Sequence, residues 1–395
     1  MIAPGLVIRL GTAQLICWGT SYYLIGIFGQ RIATDFGWSI TLAYSGLSGA
    51  LVVMGLTSGF IGRLIDRHGG RMVMTLGSVL MALACVGLSR SWDLFTYNAS
   101  WACLGLAMRM TLYEAAFATL AWIGGRSARR AMSQITLLGG LASTAFWPIG
   151  HALASAFGWR DALLIYGGFA LLTAPLHWSL PARRQTDLPD RFASVQRPPL
   201  ASTRMERVLA GALYVGLVTA VAFLNSGMSA HMIGIMAGLG MGAGLSVWLS
   251  TLRGVGQSAA RLWEVLFGSR VSELTLGIVA GGGLATAFLF GQFSGASVLA
   301  GAIFALAYGA GNGLMTIARG TQPLVLFDPA SYGALSGKLL APSFFVSALA
   351  PVVYAAVIEA AGEKVALQLS LALVCVALAC AVLLWWRFRK GAANV

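Results

Sequence analysis

Six polar residues, Ser246, Ser250, Arg253, Gln257, Arg261 and Glu264, follow one another at intervals of 4, 3, 4, 4 and 3 in an otherwise apolar stretch. Those intervals put all six on one face of an α-helix. An arginine on such a face can grip a carboxylate or phosphate through two parallel hydrogen bonds, or anchor a structural ion pair. A second polar pair, Arg109 and Glu114, interrupts the apolar stretch "AMRMTLYEAAF". Five residues turn a continuous helix by about 500°, so these side chains are expected to point about 140° apart and to find partners on other helices. Glu114 is the carboxylate set deepest in its apolar run, and a carboxyl group so placed is suited to carrying a proton. The competing reading is a permanent ion pair with an arginine of another helix.

Amides and aromatics mark further faces. Gln14, Trp18 and Tyr22 recur every four residues, with Ser21 beside them; Thr144, Trp147 and His151 follow at 3 and 4; Tyr308, Asn312 and Arg319 follow at 4 and 7. With Asn225 they are candidates to line a polar cavity, although Trp and Tyr also form interfacial belts and ordinary helix contacts. His151 lies near the end of its run and reads as a gate or a satisfied polar residue. Arg109, Arg253, Arg261 and Arg319 outnumber Glu114 and Glu264 inside the apolar runs, and a surplus of positive charge favours an anionic ligand.

The elements that must position these residues follow from composition. The 395-residue chain is 58% hydrophobic and 10% charged, too little polar surface for a globular protein in water, so it belongs in a bilayer. Apolar stretches of about 20 residues cross the hydrocarbon core as helices. Twelve are expected, at 7–30, 41–62, 71–90, 94–122, 131–156, 160–180, 206–229, 238–266, 272–292, 296–321, 337–360 and 364–387. The hydrophilic stretch from Pro181 to Arg207 carries four prolines and no periodicity, and reads as a linker. The expected organisation is a six-helix bundle over 1–180, a linker over 181–206 and a second six-helix bundle over 207–395.

With the N-terminus inside, the inner loops hold 18 Lys and Arg residues and the outer loops only Arg31, Arg90, Arg160 and Lys364. Both termini and the linker are therefore expected in the cytoplasm. The net charge of +13 is then a matter of orientation, with no nucleic-acid partner implied. The five cysteines all fall in apolar runs, so neither a disulfide framework nor a metal site is expected. The opening "MIAPGLVIRL" lacks the pattern of a cleaved signal, so the first run is expected to be retained as a span.

The stretch "GFIGRLIDRHGGRMVMT", Gly59 to Thr75, packs charges and glycines between two spans and reads as a tight turn. It has a counterpart six spans on. Arg63, Leu64, Ile65 and Asp66 match Arg261, Leu262, Trp263 and Glu264, and Arg71 matches Arg270. A second echo pairs "AFWPIGHAL" with "ALAPVVYAA" through Pro148 and Pro351. Internal repeats of this kind are common in secondary transporters.

The turn resembles the signature between spans 2 and 3 of the major facilitator superfamily, with Gly62, Asp66, Arg67, Gly69 and Arg71 at its positions and Gly70 where a basic residue is usual. Twelve spans, a central linker and a six-plus-six repeat extend the resemblance over the chain. It implies an all-α membrane fold of two pseudo-symmetric six-helix bundles working by alternating access. It also implies a cytoplasmic latch of Gly62, Asp66, Arg67 and Arg71, with Arg261 and Glu264 as the second-half counterparts. "GIFGQRIATDFGWS", Gly26 to Ser39, resembles the end of span 1 in monocarboxylate and oxalate porters.

The expected function is proton-coupled transport of a small organic anion, bound by Arg253 and Arg109 and lined by Gln257, Trp18, Tyr22, Gln14, Trp147, Asn225, Asn312 and Tyr308, with Glu114 cycling the proton. An aromatic vitamin, a siderophore-like chelate, an expelled drug and a non-transporting sensor remain open alternatives. Neither nucleophile triad, HExxH, paired carboxylates nor phosphate cradle occurs, so an enzyme is not expected, and the glycines of "AGGGLATA" suit helix packing. The expectation is a monomer without cofactor or metal in the cell membrane, and a bacterial inner membrane fits.

Overall fold

The structure is a computed structural model that describes residues 2–182 and 198–392. Most of the expected linker, 183–197, lies outside the described residues. Within them the chain folds into fourteen α-helices and no strand. These are α1 (Pro4–Thr20), α2 (Leu24–Phe36), α3 (Ile40–His68), α4 (Gly70–Ser89), α5 (Leu94–Thr111), α6 (Tyr113–Gly124), α7 (Arg129–Gly140), α8 (Ala142–Trp178), α9 (Arg204–Gly238), α10 (Ala243–Phe267), α11 (Glu273–Gly291), α12 (Val298–Leu326), α13 (Tyr332–Ala361) and α14 (Glu363–Ala392).

All twelve expected spans are helical, but not all are single helices. Among the described residues, seven helices, α3, α4, α9, α11, α12, α13 and α14, are by themselves long and apolar enough to cross a membrane. The polar stripe of α10 lowers its apolarity. Span 1 is α1 and α2 parted at Ser21–Tyr23, and span 4 is α5 and α6 parted at Leu112, whose φ of −74° and ψ of −171° are extended. Span 5 is α7 continued into α8, and α8 runs through into span 6 across Gly158 at φ 80°. A break inside a bilayer leaves backbone groups that the protein must satisfy. At Leu112 the Ala115 N–H turns to the Leu112 carbonyl at 3.0 Å, and the Gln14 side-chain amide takes the Thr111 carbonyl at 2.7 Å.

The helices form two compact units. The first contains α1 to α8 and residues Asp328–Ala348, hence the first part of α13; the second contains α9 to α12, the rest of α13 and α14. In the first unit α4 packs against α5 and α8, and α1 against α7 and α8. In the second, α12 packs against α10 and α11, and α14 against α9 and α11. The expected tight turn is a single residue, Gly69, between α3 and α4. Its φ of 77° is a conformation that side chains other than glycine's disfavour, and its N–H closes on the Ile65 carbonyl at 2.8 Å.

Candidate functional site

In the second unit, two helices touch backbone to backbone. A Cβ on Gly309 of α12 would strike the Arg253 carbonyl of α10, and one on Gly256 of α10 would strike the Leu306 carbonyl. Small residues at such a crossing are how membrane helices approach closely. Here the approach places the Arg253 guanidinium over the Tyr308 ring, 5.0 Å from its centroid. Gly309→Ala is expected to force these helices apart, at a cost of about 1–3 kcal/mol of unfolding stability. Thermal unfolding of the purified variant reads that cost as a lower Tm.

Around that contact the residues picked out separately along α9, α10 and α12 meet. Arg253 Nη2 donates to Asn225 Oδ1 at 2.7 Å and to Ser229 Oγ at 3.1 Å. The same Asn225 oxygen accepts from Asn312 Nδ2 at 3.2 Å and from the Tyr308 hydroxyl at 3.3 Å. Every partner of the half-buried Arg253 guanidinium among the described residues is neutral. Ser229 is not among the expected residues, although its place four residues after Asn225 puts it on the same helix face. Gln257 is buried one turn further along α10, its carbonyl against Gly313. Arg261 and Glu264 are buried near the C-terminal end of α10, at 1% and 4% exposure.

In the first unit the expected angle between Arg109 and Glu114 does not apply, because the helix carrying them breaks at Leu112. Arg109, 1% exposed, reaches α3, donating from Nε to Ser58 Oγ and from Nη2 to the Ser58 carbonyl, both at 3.0 Å. Glu114 lies buried in the first turn of α6, where a negative charge is favoured by the unpaired N–H groups of a helix start.

Beside the breaks stands an aromatic group. The Trp18 ring centroid lies 4.9 Å from that of Tyr113, 5.2 Å from Tyr22 and 5.9 Å from Tyr23, and Tyr23 meets Trp147 edge to face at 6.2 Å. The indole N–H groups of Trp18 and Trp147 and the Gln14 Oε1 atom are enclosed without a hydrogen-bond partner among the described residues. Thr144 and His151 are exposed. Tyr23 and Tyr113 were not expected; Tyr23 falls outside the four-residue repeat, and the position of Tyr113 depends on the break.

The turn residues also find their places in the first unit. Asp66 accepts from the backbone N–H groups of Gly333, at 2.9 Å, and Ala334, at 2.7 Å, in the first turn of α13. A Cβ on Gly62 would strike the Gly333 carbonyl, so this approach also needs glycine. Arg71 lies over the Trp178 ring at 4.2 Å, and Arg67 is exposed. Asp66→Ala removes the acceptor of two charge-assisted bonds at a helix start, and is expected to cost about 1.5–3 kcal/mol of stability. Chemical denaturation of the variant beside the parent protein measures it.

The sequence model of the Major Facilitator Superfamily matches residues 10–337. No curated protein is significantly similar in sequence. Among solved structures, the human organic anion transporter MFSD10 (TETRAN) is similar with a TM-score of 0.69 and 17% identity, over 96% of this chain and 100% of that one. The superfamily transporter FucP in its outward conformation gives 0.71 and 14%, over 95% and 97%. The proton:xylose symporter XylE bound to 6-bromo-6-deoxy-D-glucose gives 0.72 and 12%, over 97% and 95%. At these identities the likeness is one of fold.

Proposed function

From a chain that belongs to the Major Facilitator Superfamily, and is thus a multi-pass membrane protein with a secondary transporter's fold, we infer proton-coupled movement of a small organic anion by alternating access. The observation that carries this reading is Arg253. An arginine within a membrane span is costly, and in known proteins it is paired or serves a pathway. Among the described residues the guanidinium has only neutral partners, Asn225, Ser229 and Tyr308, which leaves its charge to be matched by a solute.

Arg253 holds the anion, with Tyr308, Asn312 and Gln257 beside it. Arg109 braces α5 against α3. Glu114 takes up and gives back the proton. Gly62, Asp66, Arg67 and Arg71 form the latch in one half and Arg261 and Glu264 its counterpart in the other. The termini and the linker face the cytoplasm of a bacterial cell, and a monomer suffices. An organic anion transporter and a proton:xylose symporter are both among the similar folds, so the two parts of this reading each have precedent in the fold.

A second reading, a flat aromatic solute, is favoured by Trp18, Tyr22, Tyr23, Tyr113 and Trp147, whose two indole N–H groups have no hydrogen-bond partner among the described residues. Thermal unfolding with a panel of ligands separates the two, because a ligand that binds only the folded state raises its Tm. Carboxylates are expected to raise the Tm of the parent protein and not that of the Arg253→Gln variant. A rise with neutral aromatics alone would favour the second reading.

A further inference from the structure

Asn225 receives more hydrogen bonds than its oxygen can serve. Oδ1 lies 2.7 Å from Arg253 Nη2, 3.2 Å from Asn312 Nδ2 and 3.3 Å from the Tyr308 hydroxyl. An amide oxygen has two lone pairs, so a third donor exceeds its capacity. The atom facing Arg253 is necessarily oxygen, because a guanidinium only donates. Donors on α10 and α12 therefore converge on one point, and the side chain at that point comes from α9.

Donors gathered around a single oxygen form the arrangement that stabilises an oxyanion. A neutral amide is a weak occupant of such a place, since hydrogen bonds to an ionised acceptor are roughly twice as strong. We infer that the Asn225 side chain is a built-in stand-in for one carboxylate oxygen of the solute, filling an oxyanion seat made by Arg253, Tyr308 and Asn312 and yielding it when the solute arrives. One guanidinium matches one negative charge, so the solute is a monocarboxylate. The apparent affinity is then set by competition, because the solute binds only the fraction of molecules in which Asn225 has let go. The transport consequence rests on the anionic-solute reading above; the seat itself does not.

Thermal unfolding of three variants, in sodium acetate against sodium chloride at equal ionic strength, followed by uptake measurements, tests this. Asn225→Asp sets a permanent carboxylate in the seat, and is expected to raise Tm by at least about 2 °C. Uptake of the transported carboxylate should then half-saturate at a concentration at least about tenfold higher, a shift of 1.4 kcal/mol or more. Combining Asn225→Asp with Arg253→Gln should abolish the rise in Tm. Asn225→Ala empties the seat, so acetate should raise its Tm more than that of the parent protein, while chloride should not.

A fall in Tm with Asn225→Asp, a rise that survives the loss of Arg253, or acetate acting alike on Asn225→Ala and the parent would overturn the inference. If Asn225→Ala does not fold, Asn225→Asp and its double variant decide alone. Because unfolding needs no transport, the two failures separate. A neutral transported solute, with the Asn225→Asp rise intact, removes the anion reading and leaves the seat; carboxylate uptake without that rise does the reverse.

Discussion

Arg253→Gln protein in proteoliposomes is expected to take up the carboxylate substrate with kcat/KM lowered about thirtyfold or more. Losing one partner of a desolvated, hydrogen-bonded charge pair costs about 2–5 kcal/mol, and the lower figure already gives that factor. Glutamine can keep one bond to Asn225, so the half-site should fold, and the loss should fall on substrate handling. The expected pattern is a raised KM with little change in Tm, because the partners left behind, Asn225, Ser229 and Tyr308, are neutral and still bond one another through Tyr308 and Asn225. A variant with unchanged uptake would show that Arg253 is a structural residue.

Glu114→Gln is expected to abolish accumulation driven by a proton gradient, bringing uptake down to the rate without a gradient. Exchange of labelled for unlabelled substrate across the same membrane should continue. Such a split is what removal of the proton carrier produces, because exchange returns the carrier without net proton movement. Its position explains why a carboxylate is tolerated there. It sits buried in the first turn of α6, at the break in span 4 whose freed Thr111 carbonyl is held by Gln14. Loss of exchange together with accumulation would instead mean that Glu114 holds this break in shape.

Much of the arrangement is legible along single helices. The intervals in α10 and α12 placed Arg253, Gln257, Tyr308 and Asn312 on polar faces, and the charged, glycine-rich turn announced Gly69. The meeting of those faces is not legible, because it depends on Gly309 and Gly256 pressing on the opposite backbone, and an isolated glycine in an apolar run does not reveal its partner. The break at Leu112 carries no proline or glycine; leucine is a good helix former, and a tertiary bond from Gln14 helps to satisfy the break. The resemblance places Asp66 in a latch, but its partners are backbone N–H groups, that of Gly333 lying 267 residues away, which no side-chain pattern advertises.

The most direct measurement is uptake with internal pH recording in proteoliposomes under an imposed proton gradient, offering monocarboxylates beside aromatic vitamins and cationic drugs. The expected result is that a monocarboxylate accumulates with proton entry, that Arg253→Gln lowers kcat/KM for this uptake about thirtyfold or more, and that Glu114→Gln abolishes the accumulation. Movement of only neutral or cationic aromatics, indifferent to both substitutions, would contradict it.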